Sequence, residues 1–96
     1  MAEYWKVDTI PMPQQAECEL AIPKGARLLG AYGSPSRPEL ITLYLLCQGD
    51  SGETEKRRFI SLIPGRYNPI DGAKMKLLNT YDMVTGQRCF VFEIVA

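Results

Sequence analysis

Leu40-Ile41-Thr42-Leu43-Tyr44-Leu45-Leu46-Cys47-Gln48 is the stretch from which the fold is read. It is rich in Leu, Ile and Tyr and apolar at odd and even positions alike, the pattern of a strand that is central in its sheet or covered on both faces. Gln48-Gly49-Asp50-Ser51-Gly52-Glu53 follows, with two Gly, an Asp and a Ser, which reads as a hairpin loop or a slightly longer connection. Lys56 to Ile63 then returns as a strand, alternating Phe59, Ser61 and Ile63 against Arg58, Ile60 and Leu62, and Pro64-Gly65 stops it.

Working outward, periodicity is two almost everywhere. Ser34-Pro35-Ser36-Arg37-Pro38 precedes the central stretch and is a loop, because two prolines so close cannot sit in a central strand. Arg27 to Tyr32 is a β-type run ahead of Gly33. Glu17 to Ile22 alternates, with Cys18, Leu20 and Ile22 on one face, and Pro23-Lys24-Gly25 supplies turn chemistry. Tyr4 to Ile10 reads as a first strand ending before Pro11 and Pro13. On the C-terminal side, Arg66 to Gly72 holds Asn68-Pro69 and Asp71-Gly72 and reads as an irregular loop. Lys74 to Tyr81 alternates again, Asp82 to Gln87 reads as a tight hairpin with Gly86 in the left-handed position, and Arg88 to Val95 alternates Phe90, Phe92 and Ile94 against Cys89, Val91, Glu93 and Val95. About seven short strands with turn signals every eight to twelve residues predict an all-β fold: one antiparallel β-sandwich or partly open barrel over residues 1–96, with little or no helix. The expected core is Leu20, Ile22, Leu43, Leu45, Phe59, Leu77, Phe90 and Phe92.

Composition narrows function by exclusion. The 96 residues suit one small domain. Eleven Lys and Arg balance eleven Asp and Glu, and there is no His. A net charge of zero removes the global electrostatic case for nucleic acid or an anionic membrane. Without His, Ser-His and Cys-His nucleophile pairs and most metal sites are excluded. No enzyme, metal or cofactor is expected. The start of the chain has no basic segment followed by an apolar one, and the longest apolar run, Leu43 to Cys47, is far short of a membrane span, so a cytoplasmic protein is expected. Cys18, Cys47 and Cys89 are odd in number and widely spaced, and are read as reduced, small apolar side chains.

Lys56-Arg57-Arg58 is the one charge cluster, with Arg66 and Tyr67 beyond the same strand and Arg37 in the proline-bracketed loop. Arg recognises carboxylate and phosphate in bidentate fashion, and Arg with Tyr is a frequent anchor composition at interfaces. Arg57, Arg66 and Tyr67, with Arg37 contributing, are therefore the candidate binding residues. The competing reading is a solvated strand start neutralised by Glu53 and Glu55. A stacking platform for single-stranded nucleic acid, built from Tyr4, Trp5, Tyr32, Tyr44, Tyr67 and Tyr81, is disfavoured by the absence of a basic stripe.

Pro23-Lys24-Gly25-Ala26-Arg27-Leu28-Leu29, Arg57-Arg58-Phe59-Ile60, the loop ending in Asn68-Pro69-Ile70 and the closing Phe90-Val91-Phe92-Glu93 resemble a family of small phage and prophage proteins carrying a domain of unknown function. The resemblance spans about three quarters of the chain. It departs at two histidines of the family pattern, one replaced by Asn68 and one absent from the closing strand. It implies a phage accessory protein acting by stoichiometric binding to a host or defence component, of the anti-CRISPR or another anti-defence type. A nucleotide-signal sponge belongs to the same class, because Arg and Tyr pockets between subunits of a homo-oligomer suit cyclic nucleotides. The alternative is a small structural virion or assembly protein.

Overall fold

The computed structural model describes residues 4–14, 17–34, 36–49, 52–67 and 74–95. Among these residues seven strands follow one another: β1 (Trp5–Pro13), β2 (Cys18–Pro23), β3 (Arg27–Gly33), β4 (Leu40–Gln48), β5 (Thr54–Leu62), β6 (Lys74–Asp82) and β7 (Arg88–Val95). They form two antiparallel sheets, β1-β4-β3 and β2-β5-β7-β6, packed as an open sandwich. The stretch Leu40–Gln48 is the central strand of its sheet, which explains why neither of its faces is polar. The turn signals at Asn68-Pro69 and Asp71-Gly72, together with Pro35 and Asp50-Ser51, lie outside the described residues.

Burial follows the pairing. Ile41, Leu43, Leu45 and Cys47 of β4 point inward with Met12 of β1 and Ala31 of β3, and meet Ile22, Phe59, Tyr81, Cys89 and Val91 from the four-stranded sheet. Leu20 packs partly buried against this core. At about 25 cal/mol per Å² of apolar surface removed from water, each fully buried aliphatic side chain contributes roughly 1.5–3 kcal/mol.

Two expectations are corrected. Phe90, Phe92 and Leu77 lie on the outer face of the four-stranded sheet, and Cys89, Val91 and Glu93 point inward instead. β7 is apolar on both faces, so alternation cannot choose between them. The choice is made by Phe59, which pairs with Glu93 and whose own face is in the core. β1 runs through Pro11 and Pro13 rather than ending before them, because it is an edge strand paired only with β4, where a missing N–H is tolerated.

β3 and β6, the facing edges of the two sheets, are locked together by two side chains. A bulge in β6 between Leu77 and Asn79 turns Asn79 inward. Asn79 Oδ1 accepts from the Ala31 N–H at 2.7 Å, and Asn79 Nδ2 donates to the Ala31 carbonyl at 2.8 Å. One amide side chain thus makes the pair of bonds a neighbouring strand would make. Two residues on, Gly33 lets the Tyr81 ring approach so closely that an alanine Cβ would stand 2.9 Å from it. On the opposite side β1 and β2 barely touch. The β6–β7 hairpin turns on Gly86 with φ of 88°, the left-handed conformation expected for it.

Candidate binding surfaces

Arg57 sits on the inner face of β5, one position before Arg58 and two before Phe59. Its Nε and Nη2 donate to the two Glu93 carboxylate oxygens at 2.5 and 2.6 Å, and Nη1 donates to the Ala26 carbonyl at 3.2 Å. Only 22% of the Arg57 side chain and 8% of the Glu93 side chain are exposed. The hydrogen bonds that Arg57 donates to Glu93 push the guanidinium pKa above its already high value, against the opposing effect of burial. This ion pair clamps β5 to β7 and holds the backbone where the chain passes from β2 to β3. It occupies the fork that would otherwise recognise a ligand.

The neighbouring cations are also matched. Arg58, on the outer face, is bonded to Glu17, and Lys56 lies 3.7 Å from Glu19. The carboxylates that neutralise the cluster come mainly from the β2 side and β7, with Glu55 at 3.9 Å from Arg57. Arg37 Nε donates to Glu39 at 2.9 Å in the loop between β3 and β4. The backbone N–H of Glu39, then Arg37, hold the Glu39 carboxyl below its usual range.

Arg66 and Tyr67 follow the Pro64-Gly65 turn, and both are exposed, Tyr67 fully. The six strand residues from Arg57 to Leu62 already span about 17 Å, so the structure does not bring Arg57 to Arg66. It does bring Arg37 to the same end as Arg66 and Tyr67. Leu62 pairs with Phe90 near the start of β7, which places the end of β5 beside the β6–β7 hairpin. Gln14 meets both the Glu39 carbonyl and the Tyr81 hydroxyl there, at 3.2 and 2.8 Å.

That end carries a cleft of about 280 Å³ between Ser34, Pro38, Tyr81, Met83 and Val84. Burial pushes the Tyr81 hydroxyl up to about 12 while its bond from Gln14 lowers it. Val84 projects from the hairpin tip and is exposed. Its position was readable from the sequence, as an apolar residue inside an Asp82–Gln87 turn. At the opposite end a smaller cleft of about 110 Å³ is lined by Lys6, Asp8, Lys24, Cys47 and Glu53. Burial, then Asp8, push the Cys47 thiol up, and burial also raises Cys18 and Cys89, all three being free thiols.

The two outer faces differ in chemistry. On the three-stranded sheet, Tyr32 folds over Gly30 and meets Tyr44 edge to face, with ring centroids 6.0 Å apart, next to exposed Trp5 and Val7. On the four-stranded sheet, Ile60, Leu62, Phe90, Phe92 and Ile94 are joined by exposed Met75 and Leu77. Among the described residues no helix is long and apolar enough to cross a membrane. Comparison with known protein families, with curated proteins and with solved structures yields no match.

Proposed function

We propose that the chain is a stoichiometric binding protein that engages an acidic or phosphate-bearing partner through the end bearing Arg66 and Tyr67. The observation that carries this reading is the exposure of both side chains directly behind the last residues of β5, whose pairing with β7 fixes their origin. Binding residues on loops held by a rigid sheet lose little conformational freedom on docking. Arg37 and exposed Val84 border the same end and enlarge the contact area. Arg57 is assigned to holding the sandwich together rather than to contact with a partner. The motif resemblance supplies the setting, a phage accessory protein directed at a host or defence protein or at a signalling nucleotide.

The test is capture of partners from bacterial lysate on immobilised protein, repeated with Arg66→Ala and Tyr67→Ala. Each substitution is expected to weaken a captured complex by about 2 kcal/mol and to leave stability within about 0.5 kcal/mol. Partners retained equally by both variants refute the assignment of this end. A second reading, a small structural virion or assembly protein, is favoured by the apolar outer face of the four-stranded sheet. Mass spectrometry of purified phage particles separates it from the first.

A further inference from the structure

Seven of the eleven cations lie within 4.0 Å of a carboxylate, and Arg66 has an interaction of its own. Among the described residues Arg27, Lys74 and Lys76 have no such partner, and all three are exposed. The register brings these three to one place. β3 and β6 meet at Ala31 and Asn79 and again at Gly33 and Tyr81, two residues on in each strand, so they run in the same direction along their seam. Between that first contact and the Arg27 end, each strand carries one bulge. Counted in ladder steps from Ala31 and Asn79, Lys76 stands two steps away, Arg27 three and Lys74 four. At about 3.4 Å per step these heights are roughly 7, 10 and 14 Å.

Lys74 and Lys76 lie on the side of β6 that faces β3, since Lys76 pairs with inward-pointing Glu93. Both Glu93 oxygens accept from Arg57, so the nearest carboxylate on that side is already matched. A net charge of zero therefore conceals a corner with three positive charges. Arg27 opens this corner onto the outer face of the three-stranded sheet, where it pairs with Leu46. In the next row Gly30 pairs with Tyr44, and the Tyr32 ring lies over Gly30, in a space that a Cβ would enter at 3.0 Å. Tyr32 is 48% and Tyr44 36% exposed, and the two rings meet edge to face.

We propose that this corner and the Tyr32–Tyr44 pair form a track for single-stranded nucleic acid. Proteins that bind single strands join a positive groove for the backbone to aromatic rings on which unpaired bases stack. Lys74 and Lys76 are two residues apart on one side of a strand, about 7 Å, so each meets its own phosphate. The Arg27 fork takes a third phosphate, and bases stack on Tyr32 and Tyr44. An acidic peptide would use the cations and leave the rings without a role, and in a duplex the base faces are already stacked. The stripe is invisible in the sequence because Arg27 and the lysines belong to strands far apart in the chain. The track goes beyond the reading of the Arg66 end and stands on different residues.

Fluorescence anisotropy with a labelled oligothymidylate of about 12 nucleotides tests this over a range of salt. Three phosphate contacts at about 0.7 each predict that log K falls against log salt with a slope of about −2. Arg27→Gln, Lys74→Gln and Lys76→Gln should each flatten that slope by about 0.7. Tyr32→Ala should weaken binding about tenfold at unchanged slope, and Tyr32→Phe should bind as the parent does. Lys56→Gln makes the same charge change at a cation paired with Glu19 and should alter neither affinity nor slope. Circular dichroism verifies that each variant is folded. No binding by the parent at about 0.1 mM in low salt, or equal losses in Lys56→Gln and the three corner variants, overturns the proposal. So does a parent that binds polyglutamate or phosphatidylserine vesicles in place of the oligonucleotide.

Discussion

Replacing Asn79 by alanine should cost more than any exposed strand substitution in this chain. The side chain satisfies the N–H and the carbonyl of Ala31, a residue with no exposed surface. A buried polar group left without a partner costs about 1–3 kcal/mol, so two cost about 2–6 kcal/mol. Asn79 itself is half-buried at the margin of the sandwich, so water can reach part of the gap and the lower end, about 2–3 kcal/mol, is expected. For a domain of this size that loss lowers the melting temperature by roughly 10–20 °C. Asn79→Asp keeps the acceptor but sets a carboxylate against the Ala31 carbonyl, so it should be destabilised at neutral pH and recover as the carboxylate is protonated in acid. Urea unfolding followed by circular dichroism gives the cost, and hydrogen exchange of the Ala31 amide locates it. If Asn79→Ala unfolds within about 0.5 kcal/mol of the parent and Ala31 exchanges no faster, the side chain is not what closes this edge.

Two further outcomes follow from buried polar groups. Glu93→Gln leaves the Arg57 charge buried against a neutral partner and should cost about 3 kcal/mol, whereas the double change Arg57→Met with Glu93→Leu should cost less than the single one; a loss below about 1 kcal/mol for Glu93→Gln would count against the clamp. Tyr81 ionises at about 10 in the unfolded chain and is pushed up to about 12 in the folded one, so its contribution is complete below about pH 10 and is lost as pH rises from about 10 to 12. The urea midpoint of the parent should therefore fall more steeply across that window than that of Tyr81→Phe, and parallel slopes would refute it.

The strands were legible because alternation and turn residues are local signals. Leu40–Gln48, Asp82–Gln87 with Gly86, and Arg88–Val95 needed no knowledge of the rest of the chain. What was not legible depends on distant pairing. Nothing around Phe90 and Phe92 tells that they face outward, since the deciding contact is with Phe59 on another strand. Arg57 reads as an available cation until Glu93, thirty-six residues away, is placed beside it. Asn79 was read as one member of an alternating face, and its role appears only once the bulge at Leu77 and the proximity of Ala31 are known. The loop after Pro64-Gly65 was legible as exposed for the converse reason, because Pro and Gly act locally.

Among the described residues, each of the four outer strands is blunted by a different device. β1 carries Pro11 and Pro13, β3 has the Ala31 backbone occupied by an amide side chain, β6 bulges and begins with Lys74 and Lys76, and β2 is short and ends in Pro23. Such margins give a neighbouring chain little to pair with, so growth by strand addition, the route to fibres, is obstructed at each of them. Three strands and four strands are therefore the final widths of the two sheets, however concentrated the protein becomes.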